Sequence, residues 1–211
     1  MSATVDIPVQ YDHPPLPPAP ISFEEFLAWA DEDTHAEWVD GRIVLMSPVN
    51  LHHQDLLKFL DRLISAFVEA HGLGWVYFAP ILMRLATRPS GREPDLLFVA
   101  TEHADRLRET YVDGPADLVV EIVSPDSNAR DRGEKLVEYE AAGIPEYWVV
   151  DPLRQDALFY VLGDDGRYHR VSPDADGWYH STILPGFRLQ VAWLWQRPLP
   201  PAGEVAQQIE A

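Results

Sequence analysis

The chain of 211 residues contains no cysteine, which excludes a disulfide framework, a thiolate metal site and a thiol nucleophile. It has no run of about 18 apolar residues, the length that a membrane-spanning helix requires. Its N-terminus also lacks the basic and apolar segments of a secretory signal. We therefore expect a soluble, cytoplasmic protein without a membrane partner. Because 46% of the residues are hydrophobic and 11% aromatic, we expect a single domain with a sizeable core.

Cationic side chains are scarce in this chain. There are 16 Lys and Arg residues against 34 Asp and Glu residues, and the formal net charge is −18. Nucleic-acid phosphates are bound through Lys and Arg, so this balance argues against a protein that coats nucleic acids without specificity. The acidic excess is uneven, because residues 1–50 hold nine carboxylates against Arg42 alone. The net charge therefore leaves room for a local basic groove.

Proline-rich segments flank the part of the chain that shows regular hydrophobic periodicity. Residues 1–20, which include HPPLPPAP, predict a flexible extended arm. Residues 196–211 predict a loose C-terminal tail in which a short helix could form. Residues 21–195 predict one domain of the α/β class (α+β type), with a mixed β-sheet flanked by helices.

Helix caps and turn residues divide this domain into its elements. Ser22 begins a short helix with a capping box, and Asp40-Gly41 supplies the tight turn of a β-hairpin. A second helix is predicted from Asn50 to Gly72 because its leucines recur at helical spacing.

The second half of the domain predicts strands and further helices. A short helix is expected near residues 102–109, and another from about Asp126 or Ser127 to Gly143. The predicted strands are WVYFAPILMRLA, EPDLLFVA, DLVVEIV, EYWVVD and the hairpin ALFYVLGDDGRYHRVSP.

Two carboxylates interrupt apolar strands. Glu121 stands at the centre of DLVVEIV, where a buried charge would need a partner or a metal. Glu121 is therefore a surface position, half of a structural ion pair, or a metal ligand. Asp95 precedes LLFVA, and neighbouring strands can bring two such carboxylates together to bind Mg²⁺ with waters and phosphate oxygens. The alternative for Asp95 is a turn cap after Pro94.

Lys135 is one of only two lysines, beside Lys58, in a chain with fourteen arginines. It lies on the helix that follows the strand of Glu121, one turn before Tyr139 and on the same side. A compact ammonium can hold a water molecule or balance charge that develops at phosphorus. The alternative is an exposed pair with Asp131 at i, i+4 spacing. The rarity of lysine favours the functional interpretation.

Two more residues have weaker patterns. Glu37 lies in the first hairpin strand, where the pattern favours an exposed strand face over a place in the site. His53 shares the inner face of the second helix with Leu57 and Leu60, which is typical of a core histidine with satisfied hydrogen bonds. There is no glycine-rich phosphate loop, serine nucleophile elbow or His-Glu-x-x-His motif.

The order of several segments resembles that of a known family. The segments are AEWVDGRIVLMSP, HHQDLLKFLDRLI, PDLLFV, DLVVEIVSPDS and DRGEKLVEYEAAGIPEYWVVDP. Over roughly residues 22–195 the chain resembles the Uma family of predicted restriction endonucleases, within the PD-(D/E)XK nuclease superfamily. The resemblance implies a restriction-endonuclease-like domain at residues 21–195, with a metal-dependent phosphodiesterase site on its mixed sheet.

The resemblance also implies roles for individual residues. By position, Asp95 and Glu121 would be the acidic metal ligands, the Ile122 carbonyl a third ligand, and Lys135 the active-site lysine. The positions matched near the site are Glu37 and His53, and Tyr139 would support the lysine. The superfamily places its lysine two residues after the glutamate, where this chain has Val123, so Lys135 on the following helix would replace it.

The function expected from the sequence is a Mg²⁺- or Mn²⁺-dependent endonuclease with DNA as its substrate. Two alternatives stay open. One is a catalytically silent nuclease-fold module for binding or regulation, which the net charge of −18 favours. The other is a hydrolase of a smaller phosphodiester. The sequence is compatible with one or two metal ions and with a homodimer.

Overall fold

The computed structural model describes residues 15–31, 34–124 and 130–209, in which helices are separated by groups of consecutive strands. The helices are α1 (Phe23–Trp29), α2 (Leu51–His71), α3 (Lys135–Ala142) and α4 (Ala202–Val205). Short 3-10 helices cover Thr101–Arg106, Val191–Trp195 and Ala206–Gln208, and a π-helical turn covers Arg130–Glu134. No helix in these ranges is long and apolar enough to cross a membrane.

Thirteen strands are found in the described ranges. They are β1 (Ala36–Val39), β2 (Arg42–Leu45), β3 (Gly74–Phe78), β4 (Leu82–Leu85), β5 (Ser90–Arg92), β6 (Leu96–Ala100), β7 (Tyr111–Asp113), β8 (Leu118–Ile122), β9 (Glu146–Asp151), β10 (Asp156–Leu162), β11 (Tyr168–Val171), β12 (Trp178–His180) and β13 (Arg188–Gln190).

Local signals set the ends of the helices as predicted. The Ser22 hydroxyl accepts from the Glu25 amide at 3.1 Å, and the Glu25 carboxylate accepts from the Ser22 amide at 2.7 Å. The Asn50 side chain caps α2, which ends at Gly72 in the left-handed conformation with φ of 62°. Gly143 ends α3 in the same way. The predicted cap at Asp126 or Ser127 lies outside the described residues.

Two hairpins follow their turn residues. Asp40 and Gly41 adopt positive φ values of 49° and 78°, as a type I′ turn requires, and join β1 to β2 in antiparallel register. Gly166, also at positive φ, lies in the connection between β10 and β11. Both hairpins are confirmed. The helix predicted near residues 102–109 is a 3-10 helix, Thr101–Arg106.

The strands form two main sheets and one small one. The six-stranded sheet has the order β11-β10-β9-β8-β6-β3, and only its β8–β9 pair is parallel. The five-stranded sheet has the order β2-β1-β5-β4-β7, with β4–β7 as the parallel pair. A two-stranded sheet pairs β12 with β13. The predicted α/β domain with mixed sheets is confirmed, although the sequence pointed to one main sheet and the fold contains two.

The two faces of the six-stranded sheet bury different partners. Because side chains alternate along a strand, Leu118, Val120 and Ile122 face α2, whereas Val119 and Val123 face α3 and the five-stranded sheet. The α2 side is filled by Leu56, Leu60, Leu63, Ile64, Phe67, Leu96, Phe98, Trp148 and Val150. The other side is filled by Met83, Leu85, Leu97, Val99, Tyr139, Tyr147 and Val149.

In the described part of the C-terminal tail, the short helix is confirmed as α4, but the predicted looseness is wrong. Instead of lying loose, α4 and the turn after it return to the core, where Val205 and Ile209 are buried with the α2 cluster. Their apolar side chains, four residues apart, share one helical face. Residues 1–14 of the predicted arm lie outside the described residues. Pro15 accepts a hydrogen bond from the Trp29 indole at 3.2 Å.

Glu146 is a fully buried carboxylate that accepts hydrogen bonds from several parts of the fold. Its Oε1 accepts from Trp148 Nε1 at 2.6 Å and from the Tyr179 hydroxyl at 2.9 Å. Its Oε2 accepts from the backbone and side chains of residues 181–183, four donors in all. No cation pairs with Glu146 in the described part of the chain, so neutral donors alone compensate its lost hydration.

We expect Glu146→Ala to lower the free energy of unfolding by at least about 3 kcal/mol, because several buried donors lose their acceptor together. Urea denaturation of the variant and the wild type measures the difference. Glu102→Ala, at an exposed position, is the control and should change stability by less than about 0.5 kcal/mol. A loss below about 1 kcal/mol for Glu146→Ala would show that water replaces the carboxylate.

Candidate active site

Asp95 and Glu121 lie opposite each other at one end of the six-stranded sheet. Leu96 of β6 pairs with Val120 of β8 in antiparallel register, so the next residue outward on each strand is Asp95 and Glu121. Strand alternation directs Glu121 away from α2, to the face of α3 and the five-stranded sheet. Asp95, which directly precedes β6, instead reaches His53 of α2. The antiparallel register thus explains why two carboxylates next to separate apolar strands lie close together.

Glu121 is 3% exposed, and its surface-position interpretation is wrong. Its Oε1 accepts from Lys135 Nζ at 2.8 Å and from the Tyr139 hydroxyl at 2.9 Å. Both partners come from α3, where residues one turn apart share a face. Among the described contacts both bonds end on Oε1, which leaves Oε2 for another ligand.

Lys135 is 1% exposed and lies among three carboxylates. Besides Glu121, Nζ is 3.1 Å from Glu37 Oε1 and 3.6 Å from Asp131 Oδ1. Asp131 is itself only 2% exposed, so the interpretation of an exposed i, i+4 pair is wrong. Asp131 belongs to the π-helical turn that precedes α3, and such turns often occur at functional sites.

Asp95 is held from two sides. Its Oδ2 accepts from the Ile122 amide at 2.6 Å, and its Oδ1 lies 3.1 Å from Nε2 of His53 on α2. Asp95 is therefore more than a cap for the turn after Pro94. His53 is buried, and the contact with Asp95 accounts for one of its two ring nitrogens, whereas Nδ1 has no partner in the described ranges.

Glu37 does not lie on an exposed strand face, so that interpretation is wrong. It is fully buried, and its Oε2 accepts from Arg92 Nη1 at 2.8 Å while Oε1 faces Lys135. Arg92 also donates to Glu138 of α3, with Nη2 at 2.6 Å from Oε2, and the Ser90 hydroxyl donates to the same carboxylate. Arg92 therefore connects the lysine cluster to a second buried carboxylate.

Sequence reasoning missed Arg92, Glu138 and Glu93. Arg92 carried the same signal as Glu121, a charge in a buried strand, but β5 has only three residues. Its middle residue, Gly91, is atypical of a strand, so the pattern contained no strand signal there. The structure explains the glycine, because a Cβ at this position would lie 2.6 Å from the Phe23 ring. Glycine at this position thus reflects close packing against α1.

A cavity of about 250 Å³ opens onto the carboxylates. Its ionisable lining residues are His53, Glu93, Asp95, Glu121, Arg130, Asp131 and Lys135, and Ile122 lies on its wall. The other lining residues are Leu45 at the end of β2, Met46, Ser47 and Val49 of the connection to α2, and Ser124 after β8. Four carboxylates therefore face two cationic side chains, and the cavity is acidic.

Burial and neighbouring charges shift the titration of this cluster. Burial raises the pKa of Glu121 well above its usual value; Lys135 opposes this, and the nearby Asp131 and Asp95 add to it. Burial alone would lower the pKa of Lys135, but Glu121, Glu37 and Asp131 raise it well above the usual range. Lys135 is thus an ammonium at neutral pH. Burial also raises the pKa of Glu93 to about 7.

The donor set fits a hard divalent cation. No three His, Asp or Glu side chains of the described ranges converge as a complete metal cage. The site instead offers two carboxylates, Asp95 and Glu121, with the Ile122 backbone on the same wall. Mg²⁺ is commonly bound by one or two carboxylates while waters and substrate oxygens fill the other positions. Burial is the main reason that the pKa of Glu121 is raised, and a divalent ion beside the carboxylate would favour its charged form.

Comparisons with known proteins identify the family and the fold of the chain. A family model, Uma2, described as "Putative restriction endonuclease", matches residues 23–192, a range that contains every residue assigned above to the site. "Uncharacterized protein slr1290" from Synechocystis sp. is 27% identical over 159 residues, which cover 74% of this chain and 82% of that protein. A crystal structure from Anabaena variabilis, described as "a putative nuclease belonging to DUF820", matches with a TM-score of 0.69. It is 16% identical and covers 83% of this chain and 98% of its own, a likeness that shows a shared fold.

We expect Arg92→Met to lower the free energy of unfolding by about 3–5 kcal/mol, because Glu138 would stay buried without a cation. Urea denaturation at neutral pH with a chelator measures this effect without any contribution from metal. Arg88→Met is the control, since Arg88 forms an exposed pair with Asp40 that contributes about 1 kcal/mol at most. Similar losses in the two variants would contradict the importance of the buried network.

Proposed function

The chain belongs to the family described as "Putative restriction endonuclease", and from this premise we propose that it is a metal-dependent endonuclease that hydrolyses DNA phosphodiester bonds. Family membership supports a nuclease-like function. The divalent metal and the DNA substrate are the proposal, and the arrangement around Lys135 supports them best.

The buried ammonium of Lys135 is the observation that carries the proposal. It lies 2.8 Å from Glu121 at the edge of a cavity that also contains Asp95. A structural ion pair of this kind is often no more stable than apolar residues of the same volume. Placement beside an open cavity that holds a second carboxylate is typical of a site that handles charge.

Asp95 and Glu121 would hold the metal ion, with the Ile122 carbonyl as a further oxygen ligand. A bound Mg²⁺ or Mn²⁺ supplies Lewis-acid stabilisation of phosphate oxygens and lowers the pKa of a water molecule. The His53 ring, 3.1 Å from Asp95, and the Ile122 amide fix the direction of the Asp95 carboxylate.

Lys135 acts as a fixed positive charge in this proposal. Because its pKa is raised, it does not accept a proton from water at neutral pH. It instead orients the attacking water by a hydrogen bond and stabilises negative charge at the phosphoryl oxygens. Glu37 and Asp131 hold the ammonium in place, and Arg130 offers a second cation on the cavity wall.

A binding or regulatory module without turnover is the rival function. The observation that favours it is the net charge of −18, together with four carboxylates in the cavity, because both repel phosphate. The two functions differ in whether the metal-loaded protein cuts DNA.

We expect wild-type protein to nick supercoiled plasmid with Mn²⁺ or Mg²⁺, and to lose this activity when a chelator is added. Glu121→Gln keeps the size of the side chain and an acceptor for Lys135 and Tyr139, but removes the charge. It should lose divalent-ion binding in calorimetry and slow nicking at least about a hundredfold, equal to about 2.7 kcal/mol of barrier. Glu102→Gln, an exposed change of the same type, is the control and should keep both properties.

Failure of wild-type protein to bind Mg²⁺ or Mn²⁺ would exclude the assigned metal site. A protein that binds the metal, remains folded and leaves every DNA form intact would favour the binding module.

Lys135→Met tests the lysine itself, because methionine has a similar length and no charge. We expect plasmid nicking to fall at least about tenfold, or about 1.4 kcal/mol. Calorimetry should find Mn²⁺ bound at least as tightly as in the wild type, since the cation that competes for Glu121 is gone. A purely structural lysine would instead give a variant that, once metal stabilises its fold, nicks at the wild-type rate.

A further inference from the structure

A second and larger cavity, of about 500 Å³, lies along the N-terminal half of α2. One wall is the α2 face that carries His52, Lys58 and Arg62. The opposite wall is the segment 196–202, which includes Arg197. We call this cavity the basic groove. Neither the family description nor the candidate active site accounts for it.

The charge of the basic groove is opposite to that of the chain. Lys58, Arg62 and Arg197 line it together with a single carboxylate, Asp55, in a protein that has 34 acidic and 16 cationic side chains. Most arginines in the described ranges pair with carboxylates. Arg62 and Arg197, which are both exposed, form no such ion pair in those ranges.

Lys58 and His52 are the other two basic side chains of the groove. Lys58 contacts Asp55 at 3.2 Å, but both side chains are mostly exposed, so the pair contributes little and another anion can displace it. Partial burial lowers the pKa of His52, and the Arg197 guanidinium lowers it further, so the imidazole is neutral at pH 7. The groove therefore offers cationic groups that nothing in the described chain neutralises fully.

The basic groove adjoins the candidate active site. His52 lines the groove, whereas His53 lines the cavity of the candidate active site, which we call the catalytic cavity, because successive helical residues point about 100° apart. The residues before them divide in the same way, since Val49 faces the catalytic cavity and Leu51 the groove. The two cavities therefore lie on neighbouring faces of the same N-terminal turn of α2.

We propose that the basic groove binds the phosphodiester backbone of the nucleic-acid strand beside the bond that is cut, an inference that rests on the proposed nuclease function. From His52 to Arg62 the helix rises about 15 Å, which matches roughly four base pairs along one strand of a duplex. The opposite wall contains Pro198, Pro200 and Pro201, whose fixed φ angles reduce the backbone freedom that this wall could lose when a ligand binds. Both single strands and duplexes carry this backbone, and the experiment distinguishes them.

The affinity of the protein for short fluorescein-labelled oligonucleotides, measured by fluorescence anisotropy, tests the proposal. Single-stranded and duplex forms are compared in the presence of a chelator, which prevents cutting. We expect the double variant R62Q/R197Q to bind at least about tenfold more weakly than the wild type. The slope of log Kd against log salt should fall by about 1.4 for a single strand or about 1.8 for a duplex, for two lost phosphate contacts. The salt slope and the relative affinities for the single strand and the duplex show which of the two the groove prefers.

The matched control is R154Q/R170Q, which removes the same charge at exposed positions outside both cavities. It should bind within about twofold of the wild type. Lys58→Gln, also exposed, gives an independent single change that should weaken binding and reduce the salt slope by about one contact. Melting temperatures verify that all variants fold.

Equal weakening of the groove and control variants would overturn the proposal, because overall charge alone would explain it. Unchanged affinity of R62Q/R197Q, or wild-type protein that binds neither oligonucleotide at low salt, would overturn it as well.

The proposed nuclease function is tested separately from the groove. If binding depends on the groove but wild-type protein never nicks plasmid, the groove stands and the catalytic assignment falls. If nicking depends on Glu121 while R62Q/R197Q binds normally, the reverse holds.

Discussion

The ammonium of Lys135, shared among Glu121, Glu37 and Asp131, is the interaction on which the rest of the site depends. Charges removed from water are tolerated only with partners of opposite sign, and each partner here comes from a different element. Glu121 lies on β8 of the six-stranded sheet, Glu37 on β1 of the five-stranded sheet, and Asp131 in the turn before α3. A single cation therefore joins both sheets to the helix.

Arg92 extends the same constraint through the second sheet. It lies between Glu37 and Glu138, so a row of alternating charges extends from Lys135 through Glu37 and Arg92 to Glu138 on α3. Removing either cation leaves buried carboxylates without a partner of opposite charge, so the network is costly to disrupt. Under the proposed function, these fixed contacts would keep Lys135 in one position while charge changes at the substrate.

Elements with local signals could be predicted from the sequence, and those defined by distant partners could not. The capping box at Ser22 and the turn at Asp40-Gly41 depend on neighbouring residues, so the pattern was sufficient. Glu121 was conspicuous because its own strand is apolar. Arg92 and Glu37 are 55 residues apart in the chain, and nothing near either one indicates that they are buried together. The same limit applies to the tail, whose few apolar residues find their partners on α2.

The acidity of the candidate active site and the net charge of the chain pose one electrostatic problem. A cavity lined by four carboxylates repels a phosphodiester, and a net charge of −18 repels it from a distance. Positive charge in the cavity itself would have to come at the expense of the carboxylates that the proposed metal needs. Under the proposals made above, the chain separates the two tasks. Arg62 and Arg197 attract the backbone at the neighbouring groove, where no metal ligand competes for them, and the cavity keeps its acids for the chemistry. Exposed cations act within about a Debye length, about 8–10 Å at physiological salt, so they offset the repulsion at the cavity only from a neighbouring position, and the groove and the cavity share the N-terminal turn of α2.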